Sequence, residues 1–259
     1  MSENGFFQYS GQLQSMPCLV EDYVFEGLNS TPRNLINAGL NNRFGEVSWY
    51  YCSSGSDVVD RVVTYNYLDS TTKRPIWTTG SLPRTAWADS SVFDKPHACY
   101  YDNTDDDSYD VVGNTDGITI YYEHETGTDQ INAGGAVTAV TANVLSGDFD
   151  ITQKRAAQGQ LLGAPDIRGD GEYIMKIRRF IPDFISQTGN TQVTLLLRDY
   201  PNDSSASSSL GPFTITSTTD KVDTRARGRA IALKVANTST SENWKLGTFR
   251  LDIQPDGRR

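Results

Sequence analysis

Residue types along this chain recur with a period of two, and that rhythm restricts the possible folds more than any other feature. The clearest case is Gly45-Glu-Val-Ser-Trp-Tyr-Tyr-Cys52, which is β-branched and aromatic and is broken by Ser53-Ser-Gly-Ser56. Asp60-Arg-Val-Val-Thr-Tyr-Asn-Tyr-Leu68 reads as a second strand, Asp69-Ser-Thr-Thr72 as a turn, and Ile76-Trp-Thr-Thr-Gly80 as a third strand. Strands joined by tight polar turns form an antiparallel meander. From Gly45 to Leu82 it takes fewer than 40 residues, the size of one propeller blade. His97-Ala-Cys-Tyr-Tyr101 and Gly117-Ile-Thr-Ile-Tyr-Tyr122 read as parts of a second unit. Phe6-Phe-Gln-Tyr9 and Tyr23-Val-Phe25 read as remains of another. No long amphipathic helix is visible; Gln153 to Leu162 is the best short candidate.

From about Val137 the strands lengthen. Val137–Val144, Tyr173–Ile181, Thr191–Arg198, Phe213–Ser217, Ala230–Val235 and Trp244–Ile253 are the candidates, and their number and spacing predict a sandwich. Val193-Thr-Leu-Leu-Leu197 is expected to be buried on both faces, and Ala230-Ile-Ala-Leu-Lys-Val235 to alternate. The polar loop Asn202 to Ser209 is expected to be mobile. The expected fold is all-β: a partial β-propeller over residues 1–130, then a β-sandwich-like domain over 131–259, divided where Gly127, Gly134 and Gly135 cluster. Roughly 125 residues supply two to three blades, whereas a closed propeller takes about four or more. An open fan exposes sheet edges and aromatic faces, so the chain is expected to complete itself with other protein.

Charge sharpens the division. Residues 1–150 carry 7 basic and 21 acidic side chains, and residues 151–259 carry 16 basic and 11 acidic, for a net −9 overall. Two parts of opposite sign are suited to different surroundings, or simply reflect acidic surface loops. Three separated cysteines (Cys18, Cys52, Cys99) and two histidines (His97, His124) indicate no disulfide framework, zinc cage or cofactor. No apolar run approaches a membrane span, and the first residues lack a leader pattern.

Motifs for chemistry are sparse. The acidic loop bearing Asp102, Asp105, Asp106, Asp107 and Asp110 lacks calcium-loop spacing and reads first as solvated surface, as does Asp166-Ile-Arg-Gly-Asp-Gly-Glu172. In Tyr122-Glu-His-Glu125, strand alternation sends Glu123 and Glu125 to one face and His124 to the other, which does not suit acid–base work. No nucleophile elbow, P-loop or dinucleotide fingerprint occurs, although a two-carboxylate glycosidase has no spacing rule to search for. Arg225-Ala-Arg-Gly-Arg229 is the strongest basic feature. On a strand, Arg225, Arg227 and Arg229 share one face about 7 Å apart, ready for a partner's carboxylates, a polyanion or local salt bridges with Asp220 and Asp223.

Several blocks resemble a known group when taken in order. Ser2-Glu-Asn-Gly-Phe-Phe-Gln-Tyr-Ser-Gly11, Asn41-Asn-Arg-Phe-Gly-Glu-Val-Ser-Trp-Tyr-Tyr51, Tyr65-Asn-Tyr67, Arg84-Thr-Ala-Trp87 and Tyr122-Glu-His-Glu125 are similar to a propeller segment in virion proteins of short-tailed bacteriophages. The ending, Arg227-Gly-Arg229 through Trp244-Lys-Leu-Gly-Thr-Phe-Arg-Leu-Asp-Ile253 to Asp256-Gly-Arg258, resembles the C-terminal signature of the same tail-hub or nozzle proteins, also described as packaged-DNA stabilisation proteins. The resemblance implies a hexameric ring below the portal and adaptor, in the virion tail and made in the host cytoplasm. That ring encloses the channel through which double-stranded DNA is retained and ejected, without catalytic residues, metal or sequence-specific contacts. Members of the group run longer upstream, so this chain is expected to be the C-terminal part of such a protein or to be completed by another chain. An acidic channel lets a duplex slide where a cationic one would hold it. The expectation is therefore acidic surface near the channel from residues 1–150, with Arg225, Arg227 and Arg229 serving assembly. The competing readings are a carbohydrate-binding or glycoside-cleaving propeller, with Trp49, Trp77 and Trp87 stacked on sugars, and a tail-tip receptor-binding protein.

Overall fold

A computed structural model of the chain describes residues 1–2, 5–71, 73–90, 93–102, 118–131, 135–151, 173–200 and 205–258. Strand accounts for 56% of them and helix for 4%, arranged as several antiparallel sheets, none of which closes on itself. The chain divides into two compact units, Met1–Gly127 and Thr128–Arg259.

The first unit begins with a hairpin, β1 (Phe7–Tyr9) and β2 (Leu13–Ser15). A short helix follows, α1 (Glu21–Glu26), where alternation predicts extended chain at Tyr23-Val-Phe25. The aromatic and β-branched residues that mimic a strand there are turned by burial. Val24 is fully buried while Tyr23 is exposed, Glu21 and Asp22 sit favourably in the first turn, and Gly27 ends the helix.

β3 (Asn37–Asn41), β4 (Glu46–Tyr51), β5 (Arg61–Thr71) and β6 (Arg74–Gly80) then form a four-stranded antiparallel sheet in chain order. The sequence shows the last three of these strands; β3 adds an edge. Both faces of this sheet are covered. Tyr51 and Val63 pack with Phe6 and Val24 on one face, beside Trp49 and Trp77, while Tyr50, Cys52 and Val62 pack with Val59, Leu82 and Trp87 on the other. Two-sided burial explains why Trp-Tyr-Tyr-Cys is apolar at consecutive positions. The β3–β4 turn closes on Gly45 at φ +66°, where a Cβ would collide with Leu68. β7 (Ala86–Ala88), β8 (His97–Asp102) and β9 (Ile118–Glu123) complete the unit as a second antiparallel sheet.

The second unit opens with the hairpin β10 (Asp129–Ile131) and β11 (Val137–Ala139). β12 (Asn143–Leu145), β13 (Tyr173–Ile181), β14 (Phe184–Thr188), β15 (Thr191–Arg198) and β16 (Ser208–Ile215) follow. β17 (Val222–Gly228), β18 (Ala230–Ala236), β19 (Asn243–Leu246) and β20 (Arg250–Arg258) end the chain. One sheet has the order β12-β18-β15-β16 and another β17-β13-β20, with β14 paired to β19. Inward residues of the two larger sheets meet in a single core: Met175, Ile177, Phe180 and Ala226 from one, and Val193, Leu195, Leu197, Ile215, Ile231, Leu233 and Val235 from the other.

Burial and strand breaks in this unit differ from the pattern the sequence predicts. β15 alternates strictly, with Thr191, Val193, Leu195 and Leu197 buried, because only one of its faces enters the core. β18 instead buries Ile231, Ala232 and Leu233 in succession. The stretch Val137–Val144 breaks into β11 and β12, and Trp244–Ile253 into β19 and β20. Ser208 and Ser209 of the expected mobile loop begin β16, opposite Leu197 and Leu196, while residues 201–204 lie outside the described residues, as does the helix candidate Gln153 to Leu162.

Candidate functional site

The outer face of the β17-β13-β20 sheet gathers five basic residues of the second unit: Lys176, Arg178, Arg179, Arg225 and Arg227. Along β17, Thr224, Ala226 and Gly228 are buried, and Asp223, Arg225 and Arg227 are exposed. Arg229 lies just past the strand, where its backbone N–H donates to the Arg198 carbonyl at 2.9 Å. It is therefore held at the passage into β18 rather than in line with the other two.

β13 contributes three more cations. Met175, Ile177 and Phe180 point to the core, which leaves Lys176, Arg178 and Arg179 on the outer side. Lys176 stands opposite Arg227 in the β13–β17 register, and Arg179 opposite Asp223. Between them the register shifts, so that Arg178 on β13 faces both Thr224 and Arg225 on β17. Such a bulge re-aims side chains and weakens local pairing. Like charges directly across two strands are also unfavourable.

Some of that charge is answered locally. Arg227 is 2.7 Å from Asp256, and Arg179 lies 3.4 Å from Asp223 and 3.9 Å from Asp252. Lys176, Arg178 and Arg225 have no acidic partner among the described residues. Together with Arg179, Asp223 and Thr224 they line an open groove of about 530 Å³. The Thr224 hydroxyl is engaged inward, donating to the Ile177 carbonyl at 2.8 Å. Three unpaired cations in one groove can hold oxyanions, and guanidinium groups suit carboxylate or phosphate geometry. The run Lys176-Ile-Arg178 carried this signal in the sequence as cations alternating with core residues. Arg225-Ala-Arg-Gly-Arg229, with its denser charge, overshadows it.

The first unit holds a different polar centre. Arg84 is 4% exposed, so its charge has little water to rely on. Its Nε donates to His124 Nε2 at 2.9 Å, its Nη1 donates to the Pro83 carbonyl, and its guanidinium lies 3.9 Å from the Tyr122 ring centre. Burial, then the charge of Arg84, then His97 lower the His124 pKa to about 4. With its Nε2 lone pair occupied, His124 serves as an acceptor that anchors Arg84. Burial likewise lowers the Arg84 pKa. The Arg84-Thr-Ala-Trp87 block in the sequence does not reveal this bond, because its partner lies 40 residues away.

The expected alternation at Tyr122-Glu-His-Glu125 stops at the end of β9. Glu123 lies 3.3 Å from Lys95, whereas Glu125 has φ 58° and accepts from Asn41 Nδ2 at 3.0 Å. Burial, aided by the Glu125 charge, raises the pKa of Glu46. The tryptophans are built into the packing. Trp77 lies 4.5 Å from Phe6 and donates to the Pro17 carbonyl, and Trp49 lies 5.0 Å from Phe6. Trp87 covers Gly39, stacks on Tyr50 and donates to the Leu40 carbonyl.

Asp102 closes β8, while Asp105, Asp106, Asp107 and Asp110 lie outside the described residues, as does Asp166 to Glu172. Among the described residues no group of His, Cys, Asp and Glu is arranged to hold a metal, and no helix is long and apolar enough to cross a membrane. No protein-family model matches the chain, and no curated protein matches it.

Proposed function

We propose that this chain is a structural component of a phage tail, part of the hub or nozzle ring through which packaged DNA is retained and ejected. The observation that carries the reading is the four-stranded antiparallel meander β3-β4-β5-β6, covered on both faces and followed by a second open meander, β7-β8-β9. In this reading the four-stranded sheet serves as one propeller blade and the three-stranded sheet as part of another, and blades that do not close leave edges for other protein to cover. The two sheets that share one core in the second unit are read in the same way as the layers of a sandwich. Charge follows the same division: Met1–Gly127 carries 7 basic and 18 acidic side chains, a composition suited to lining a path for duplex DNA. In this reading the ring is homohexameric, contacts portal, adaptor and other tail proteins, and uses Arg225, Arg227 and Arg229 at its boundaries. Negative-stain averages of the purified chain should show rings with an open centre; isolated single chains would contradict the reading.

One observation favours the sugar-cleaving alternative. Burial, and after it the charge of Glu125, raises the Glu46 pKa, a direction that would suit a general acid. Against it stand the tryptophans, whose rings pack against Phe6, Tyr50 and Gly39. Glycan hydrolysis abolished by Glu46→Gln would decide for the enzyme.

A further inference from the structure

Two surfaces of this chain are electrostatically unsatisfied, and each has what the other lacks. The first is the groove between β13 and β17. Lys176, Arg178 and Arg225 converge there with no ion-pair partner among the described residues, since the one acid of the lining, Asp223, is paired with Arg179, and a bulge sets Arg178 against Arg225. Folding gains nothing from that arrangement, since like charges across a strand pair destabilise it.

The second is the outer side of α1. Asp22 and Glu26 are exposed, one helical turn apart, with no ion pair to any described residue. At this spacing two acids repel. Glu26 also sits in the last turn, at the negative end of the helix, and no basic residue is present there to compensate. Leu19 and Tyr23 flank the acids, 79% and 57% exposed.

We infer that the groove of one copy receives α1 of a second copy, with Asp22 and Glu26 set against Lys176, Arg178 and Arg225. The spacings agree. Acids one turn apart on a helix are separated by roughly 6 Å, and residues facing across a strand pair by about 5 Å. The composition of the face favours protein over nucleic acid. Asp223, Asp252 and Asp256 are interspersed with the cations, which would repel a continuous line of phosphates but leaves discrete positions for carboxylates. Leu19 and Tyr23 supply apolar contact at the margin of the charged pairs. Groove and helix are different surfaces, so in the ring reading the contact repeats head-to-tail and closes where the rotation allows. This inference rests on the ring reading above and names the residues of its boundary. Arg227, already paired with Asp256, contributes little, and Arg225 contributes most of what the arginine run provides.

A charge exchange tests it. One variant carries Lys176→Glu, Arg178→Glu and Arg225→Glu; a second carries Asp22→Lys and Glu26→Lys. Each alone should weaken self-association on the order of a hundredfold at low salt, with the circular dichroism of the wild type. Mixed in equal amounts, the two should recover assembly, because each reversed groove then meets a reversed helix. Variants that assemble as the wild type does would overturn the inference and leave the ring intact. A groove variant that keeps its assembly but loses retention of duplex DNA would assign the groove to nucleic acid, and would also overturn it. Failure of the mixture to recover counts against it as well. A wild-type chain that remains monomeric at every concentration would remove both this inference and the ring.

Discussion

The two units are both β-structure, but they are held together differently. In the second, one core joins two sheets, and every buried member of it except Ala226 is Ile, Leu, Val, Met or Phe from a strand. In the first, two smaller clusters lie on opposite faces of one sheet, and aromatic rings dominate: Phe6, Tyr50, Tyr51, Trp49, Trp77 and Trp87. Both units bury uncharged polar side chains, Asn41 in the first and Thr191, Thr224 and Asn237 in the second, but only the first buries a charged one, Arg84, among the described residues. An aliphatic core set by strand alternation is insensitive to pH. A core that includes an arginine resting on a neutral histidine depends on the protonation state of that histidine. The comparison assigns different failure modes to the two halves of one chain.

The largest effect is expected at Phe180, fully buried and in contact with Phe213 and Phe249. Phe180→Ala should cost about 3–5 kcal/mol, seen in urea melts as early loss of Trp244 emission, since Trp244 is the tryptophan packed against that core. The signal from Trp49, Trp77 and Trp87 should persist; simultaneous loss would show that the units unfold as one.

Acid should act on the first unit. His124 has a folded pKa of about 4, below its ordinary value near 6.5. The unfolded chain therefore takes up its proton first as pH falls. Stability from this group is complete above about pH 6.5 and is lost progressively toward pH 4, by on the order of 2 kcal/mol once partial exposure is discounted. His124→Gln should flatten that part of the pH profile in thermal melts, while Phe180→Ala leaves its shape unchanged. A profile unaffected by His124→Gln would remove the contrast.

Smaller effects sharpen the same picture. At Gly39 a Cβ would come within 2.5 Å of the Trp87 ring, so Gly39→Ala should cost about 1–3 kcal/mol and perturb near-UV aromatic dichroism. The Arg227–Asp256 pair is largely solvent-exposed. Arg227→Ala should therefore change stability by less than about 1 kcal/mol in the same melts.

Much of the strand framework is legible in the sequence, because burial on one or both faces leaves its period in the residues. Tyr173–Ile181 and Thr191–Arg198 are read to the residue. The exceptions share a cause: tertiary context outweighs local propensity. Tyr23-Val-Phe25 becomes helical because Val20, Val24, Phe25 and Leu28, spaced as one helical face, pack against the same cluster. The cationic groove is half-legible. Arg225 stands out in its run, but its unpaired neighbours Lys176 and Arg178 lie about 50 residues upstream and join it only through the β13–β17 register. The Arg84–His124 bond has no local signature, since it links a connector to the end of a strand in another part of the sheet.

The proposed function requires this chain to work as one copy in a ring. The direct measurement is the native mass of the purified chain at low ionic strength, by light scattering across a range of concentrations. A sixfold ring should give a species of roughly six times 28.6 kDa that dissociates as salt is raised. A constant 28.6 kDa under all conditions would contradict it.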